Sequence, residues 1–85
     1  MIRKTETGEL SKLFGEVLRE LRAEKLLTLR ELSNASGVAL GYVSEVERAV
    51  KDVSSQTLSR LLISLDIDLS EFLLLVAEKA ERKAK

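Results

Sequence analysis

Apolar residues recur three and four positions apart along almost the whole chain, which is helical spacing. One stripe predicts a first helix over about residues 10–25; its members are Leu10, Leu13, Phe14, Val17, Leu18 and Leu21. The same spacing predicts helices over about residues 29–36, 40–48 and 55–65, and a fifth helix from Leu69 onward. The alternating pattern of a half-buried strand is missing. We therefore expect an all-α fold of five helices.

Three local signals mark where these helices begin and end. Thr28 is followed three positions later by Glu31, which is the spacing of a capping box at a helix start. Ser54 is a favourable cap for the fourth helix. Gly37 follows the second helix, where a residue in the left-handed conformation commonly ends a helix. Only three residues, 37–39, are then left to connect the second and third helices.

The segment from Thr28 to Arg48 carries the functional signal. A turn of three residues forces a sharp crossing of the two helices, and Leu32, Val43 and Val46 can meet inside the angle. This is the helix-turn-helix geometry, in which the second helix of the pair lies in the major groove of DNA. The outward face of that helix carries Leu40, Gly41, Ser44, Glu45 and Arg48.

Four stretches support this interpretation: residues 19–22 (RELR), 28–32 (TLREL), 36–38 (SGV) and 42–48 (YVSEVER). They resemble the Cro/lambda-repressor-like (XRE) family, and the resemblance covers about residues 12–72. Residues 41–48 look closer still to the regulators of Clp protease genes. The resemblance implies a five-helix lambda-repressor-like DNA-binding domain. It also implies a sequence-specific transcriptional regulator that binds double-stranded DNA as a homodimer on a two-fold symmetric operator.

The resemblance also implies roles for individual residues. Arg22 and Glu47 would form an ion pair that ties the first helix to the recognition helix, unless each is a solvated surface charge. Base contacts are implied at Leu40, Gly41 and Glu45, and Ser44 shares their face. Phosphate contacts are expected from backbone N–H groups behind Thr28 and Leu29. Side-chain phosphate contacts are expected from Arg30, Tyr42, Arg48, Lys51 and Ser55.

Some positions leave alternatives open. Glu45 either accepts a hydrogen bond from cytosine N4 or repels phosphate and acts by exclusion. Gly41 either lets the backbone approach DNA closely or is a tolerated weak helix residue. Five positions depart from the family pattern. Ser, Gln, Gly, Pro and Ala are common where this chain has Ala39, Leu29, Ala49, Val53 and Ser33. Ala is a poor helix cap, and the missing Gln puts the expected base contacts in doubt.

The fifth helix has more apolar residues than one core needs. We expect Leu69, Phe72, Leu73, Val76, Ala77 and Ala80 to form its inner stripe. Leu74 and Leu75 project beside that stripe and suggest an interface, unless they cover the edge of the protomer's own core. The predicted homodimer interface comprises Phe72, Leu74, Leu75 and Ala77. This divides the chain into a flexible N-terminal arm (1–9), a helix-turn-helix DNA-binding domain (10–73) and a dimerising helical extension (74–85).

Composition narrows the function classes. The chain has 85 residues, with neither Cys nor His, which removes thiolate and imidazole metal ligands and the usual catalytic bases. We therefore expect no enzyme, no cofactor, no metal site and no small-molecule ligand. No apolar run is long enough to span a membrane and no signal peptide is visible, so a cytoplasmic location is expected.

Charge keeps a second function class open. The 14 basic and 14 acidic residues cancel, so any attraction to DNA must come from local placement of charge. Net neutrality and Glu45 are also compatible with a protein-interaction module on the same fold, such as an antitoxin or an anti-regulator that does not bind DNA.

Overall fold

A computed structural model describes residues 8–84 of the chain. The described residues form five helices and no strand, which confirms the predicted all-α fold. The predicted helix ends lie within one residue of the observed ends. The helices are α1 (Glu9–Glu24), α2 (Leu29–Ser36), α3 (Leu40–Glu47), α4 (Ser55–Ser64) and α5 (Leu69–Ala84).

The three predicted boundary signals are present as hydrogen bonds and backbone angles. The Thr28 side chain accepts from the Glu31 N–H at 3.0 Å, and the Glu31 carboxylate accepts from the Thr28 N–H at 2.8 Å, so the capping box is complete. Ser54 Oγ accepts from the Thr57 N–H at 3.1 Å at the start of α4. Gly37 ends α2 with a φ of 73°, in the left-handed region.

Helix α1 connects the helix-turn-helix pair to the C-terminal helix. It packs against both α3 and α5, while α2 packs against α3 and α4. Leu18, Leu32 and Phe72 lie at the centre of the shared core and are almost completely buried. The rings of Phe14 and Phe72 meet edge to face, with centroids 5.2 Å apart, and join α1 to α5.

The predicted inner stripe of α5 is partly wrong. Leu69, Leu73 and Ala77 are exposed, whereas the helix buries Phe72 and Val76. Leu75, one of the residues predicted to project outward, packs against the core in a half-buried position. The error arises because α5 carries leucines on nearly all sides of its first turns, so helical spacing alone does not select the face that turns inward.

The predicted dimer interface needs correction at Phe72 and, in part, at the half-buried Leu75 for the same reason. Phe72 is 0% exposed within the protomer, so its side chain has no surface to offer a partner. Leu74 is 64% exposed, and Ala77 is also exposed, so both remain available on the outer side of the helix.

The end of α5 lies along α1. Lys79 Nζ lies 2.5 Å from Glu20, and Lys83 Nζ lies 2.5 Å from Glu16, so the two helices run antiparallel. The hydrogen bond from Lys83 holds the pKa of the Glu16 carboxyl below its ordinary value. Residues 74–84 thus continue the α5 helix and contact the same protomer, while their predicted role in dimerisation stays a prediction.

The predicted N-terminal arm overlaps the described residues only at its end. Gly8 caps α1 in a left-handed conformation and Glu9 begins the helix, so both belong to the folded part. The rest of the arm, residues 1–7, lies outside the described residues. Among residues 8–84, none of the helices combines the length and the apolar character needed to cross a membrane.

Candidate nucleic-acid interface

The turn between α2 and α3 is fastened by side-chain hydrogen bonds. Ser33 Oγ donates to the Val38 carbonyl at 2.6 Å, and the Val38 N–H donates to Ser36 Oγ at 3.2 Å. The Gly37 N–H donates to the Ser33 carbonyl at 2.9 Å. With Val38 buried beneath it, this turn fixes the angle at which α3 leaves α2.

Helix α3 has a buried side and an accessible side. Val43 and Val46 lie in the core, as the sequence predicts. Gly41 and Arg48 are exposed, and the remaining outward positions are half-buried: Leu40, Tyr42, Ser44 and Glu45. Its N-cap, Ala39, makes no side-chain capping hydrogen bond, so the start of α3 lacks the support that Thr28 gives to α2.

An ion pair fixes the far end of α3 to α1. Arg22 Nε and Nη2 donate to the two Glu47 carboxylate oxygens at 2.7 and 2.9 Å, and Arg22 Nη1 donates to the Leu27 carbonyl at 2.8 Å. The hydrogen bonds to Glu47 raise the pKa of Arg22 above its ordinary value. The pairing that the family resemblance implies is therefore present, and it places Glu47 in the frame of the domain.

A glycine that sequence reasoning missed lets α1 and α3 approach closely. A Cβ atom at Gly15 would lie 2.5 Å from the Val46 carbonyl oxygen and 2.8 Å from that of Glu47. Only glycine therefore allows this approach without a shift of one helix. The available signal was a glycine inside the apolar stripe of α1, where its helix propensity is poor.

The segment after α3 turns back onto the helix. The Glu45 carbonyl accepts from the Val50 N–H at 2.8 Å and from the Lys51 N–H at 3.3 Å. Tyr42 Oη donates to the Asp52 carbonyl at 3.0 Å, so the hydroxyl predicted to contact phosphate is engaged within the chain. Lys51, between these attachments, has an exposed side chain.

The other predicted phosphate contacts lie at helix starts or at the end of α3. Thr28, Arg30 and Ser55 are exposed and Leu29 is half-buried. The first N–H groups of α2 and α4 lie at the N-termini of these helices. The N-terminus is the positive end of the helix dipole and attracts anions. Arg48 Nε donates to Ser44 Oγ at 3.3 Å, so its guanidinium lies along the outward face of α3.

Two of the acidic groups near this surface are satisfied internally. The Glu31 carboxylate completes the capping box of α2, and the Glu47 carboxylate pairs with Arg22. Glu45 is left on the outward face of α3, close to Arg48 and Lys51 in the sequence. The basic side chains therefore face less opposing charge than the overall neutral composition suggests.

The helix-turn-helix family profile matches residues 18–72 of this chain. The chain belongs to the helix-turn-helix family, in its XRE-type branch. The matched residues run from α1 to the first turn of α5, so the family segment includes the whole turn, the ion pair and the recognition helix.

Named relatives agree with this family. The chain is 41% identical over 71 residues to the transcriptional regulator ClgR of Mycobacterium tuberculosis, an alignment that covers 84% of this chain and 63% of that protein. The chain thus spans less than two thirds of the length of the curated relatives it matches. This identity confirms the resemblance to regulators of Clp protease genes.

Solved structures share the fold. The clp gene regulator ClgR from Corynebacterium glutamicum matches with a TM-score of 0.83 and 40% identity, over 88% of this chain and 80% of that one. The restriction-modification controller protein C.Esp1396I, solved as a tetramer with its natural 35-base-pair operator, matches with a TM-score of 0.79. That match covers 82% of this chain and 92% of the controller, and its 21% identity shows the fold alone.

The residue that ends the α3 turn has a strained backbone conformation. Ala49, which stands where the family commonly has Gly, has a φ of 61°, in the left-handed region that disfavours a side chain. Its N–H donates to the Val46 carbonyl at 3.1 Å as the chain leaves α3. Ala49 therefore ends the α3 turn in a conformation that glycine adopts with less strain.

No group of three or more acidic residues in residues 8–84 is arranged to hold a metal ion.

Proposed function

We propose that this chain is a sequence-specific DNA-binding transcriptional regulator that acts as a homodimer on a two-fold symmetric operator. The observation that carries the proposal is the accessible face of α3, held rigidly by the α2–α3 turn and by the Arg22–Glu47 pair. Such a helix fits the major groove. The names of the relatives, ClgR above all, support the same function, and no catalytic role is part of it.

The side chains divide into two roles under this function. Leu40, Gly41, Ser44 and Glu45 face the bases, with Leu40 against a thymine methyl and Glu45 toward cytosine N4. Phosphates are held by Arg48 and by the positions that flank the motif, which fixes the register without reading the sequence. The flanking positions are Thr28, Leu29, Arg30, Lys51 and Ser55.

The dimer is proposed to form through the outer side of α5 and the adjacent part of α4. Leu69, Leu73 and Leu74 are exposed there, and Ile63 on α4 is 78% exposed. A groove of about 350 Å³ lies beside them, lined by Leu58, Leu62, Ile67 and their neighbours. An apolar surface of this kind is typical of a protein–protein contact. Two recognition helices would then reach half-sites about 34 Å apart.

The proposal is tested by selecting bound duplexes from a random DNA library and titrating the best one at several salt concentrations. We expect a two-fold symmetric site and a logarithmic affinity that falls steeply with the logarithm of salt, because phosphate contacts release counterions. Arg48→Ala and Lys51→Ala should each weaken binding to all sequences and reduce the salt slope by about one. Lys25→Ala, at the exposed end of α1, is the matched control and should change neither.

Glu45 separates base recognition from simple repulsion. Glu45→Ala should change which duplexes are selected if Glu45 reads a base, whereas a uniform gain in affinity would mean that it only repels phosphate. The net charge of zero favours one competing function, a protein-interaction module without DNA binding. If no sequence is enriched and no duplex shifts at low salt, the proposed DNA binding is contradicted. The protein-interaction module is then the favoured function.

A further inference from the structure

The segment that carries Lys51 is attached to the recognition helix at several points. Two backbone N–H groups, from Val50 and Lys51, share the Glu45 carbonyl as acceptor, at 2.8 and 3.3 Å. The next residue, Asp52, accepts through its backbone carbonyl from Tyr42 Oη at 3.0 Å. The Glu45 carbonyl and the Tyr42 hydroxyl lie within one turn of each other on α3, so these bonds fix the segment to α3.

Asp52 also ties this segment to α1. Its carboxylate accepts a hydrogen bond from Ser11 Oγ in the first turn of α1. Asp52 therefore has two different attachments, one through the backbone to α3 and one through the side chain to α1. The neighbouring Val53 packs against the core in a half-buried position and fixes the far end of the segment.

The Tyr42 side chain is suited to a supporting role. Its ring packs against the core in a half-buried position, and its hydroxyl donates a hydrogen bond to the Asp52 carbonyl. A hydroxyl that already donates within the chain has no proton left for a phosphate oxygen. The residue just before Asp52 is Lys51, whose side chain is exposed.

We propose that Tyr42 is a positioning residue for DNA binding: its hydroxyl acts through the Asp52 carbonyl to hold Lys51 at the phosphate backbone, and it does not itself contact DNA. This role rests on the proposed function, because it assigns Tyr42 to the support of a phosphate contact. It replaces the direct phosphate contact that the sequence suggests for Tyr42.

The sharpest test removes the hydroxyl and nothing else. Tyr42→Phe keeps the ring on the core and deletes the donor, whereas no substitution at Asp52 removes a backbone acceptor. In the free protein, the Val50 and Lys51 N–H groups should exchange with solvent several-fold faster in Tyr42→Phe, because the segment opens more often. Ser64→Ala, which deletes a hydroxyl that donates to the Arg60 carbonyl at 2.9 Å within α4, should leave these two rates unchanged.

A double-mutant cycle on a duplex selected from the random library then completes the test. When Lys51 is present, Tyr42→Phe should weaken binding about five-fold, which is the effect of losing one neutral hydrogen bond. In the Lys51→Ala protein, the same change should weaken binding less than about two-fold. Equal losses in both proteins, or unchanged exchange of Val50 and Lys51, would overturn the positioning role. Failure of the unsubstituted protein to bind any duplex would instead overturn the proposed function, and the positioning role with it.

Discussion

Residues 28–55 and the outer side of α5 present opposite kinds of surface. In the first region, side chains form hydrogen bonds to the backbone at three places. Glu31 completes the cap of α2, Ser33 bonds across the α2–α3 turn, and Tyr42 bonds to the segment after α3. In the second region, Leu69, Leu73 and Leu74 leave between 45% and 64% of their surface exposed within the described part of the protomer.

The difference separates a surface that is complete in one chain from a surface that needs a partner. A rigid polar face is useful to a DNA reader before any DNA is present, because little order must be gained on binding. An exposed row of leucines in so small a domain is favourable only when something covers it. Helix α1 connects the two, since it bonds to α3 through Arg22 and to α5 through Glu16 and Glu20.

The largest expected effect comes from breaking the link between α1 and α3. Arg22→Met should lower the free energy of unfolding by about 3 kcal/mol, because it leaves the nearly buried Glu47 carboxylate without its partner. Chemical denaturation measures the loss. Arg19→Met, at an exposed position of the same helix, is the control and should change stability by about 0.5 kcal/mol or less. Equal effects of the two changes would contradict the structural role of the ion pair.

A pair of glycine substitutions sharpens the same point. Gly15→Ala should destabilise the protein by about 1–3 kcal/mol, since its Cβ would press on the Val46 and Glu47 carbonyls. Gly41→Ala meets nothing within 4 Å and should stabilise the protein by about 0.5–1 kcal/mol through helix propensity. Thermal unfolding of both variants gives the signs, and a gain in stability at Gly15 would mean that α1 and α3 do not approach so closely.

On the α5 side, the expected change is in association rather than in folding. Leu73→Gln should shift sedimentation at tens of micromolar from dimer toward monomer, while the helical content of the protomer stays the same, because the side chain is exposed. The matched control is Leu26→Gln, which changes a leucine that is 88% exposed and lies in the α1–α2 turn. A monomeric unsubstituted protein would contradict the proposed homodimer, and an equal effect of Leu26→Gln would place the interface elsewhere.

The smallest expected effect concerns the ion pair between α5 and α1. The pKa of Glu16 is lowered in the folded state, so its contribution to stability is present at neutral pH and is lost as pH falls below the ordinary value of 4.5. Lys83→Met should therefore cost about 0.5 kcal/mol or less at pH 7 and nothing in acid. Denaturation at several pH values measures this, with Lys25→Met as control. A loss that persists at low pH would exclude the ion pair as its cause.

The same comparison explains what the sequence could predict. Caps and turns depend on adjacent residues, so Thr28, Gly37 and Ser54 predicted helix boundaries to within one residue. The Arg22–Glu47 pair joins distant positions, and only the family resemblance suggested it. The inward face of α5 could not be predicted, because Leu69 and Leu73 are as apolar as the buried Val76.

Two contacts in the candidate site could not be predicted from residue types and their spacing. The close approach at Gly15 depends on where the end of α3 lies, which no pattern within α1 reveals. The bond from Tyr42 to the Asp52 carbonyl involves a backbone acceptor, and every residue has one. Tyr42 therefore resembled a surface contact until the course of the following segment was known.

The central claim is that the outward face of α3 is the surface that meets DNA. The most direct measurement is the change in backbone amide NMR shifts on adding a duplex selected from the random library. The account predicts changes concentrated in residues 28–30, 40–48, 51 and 55, with little change along the second half of α5. Changes concentrated on α5 and the exposed part of α4, with α3 unmoved, would contradict it.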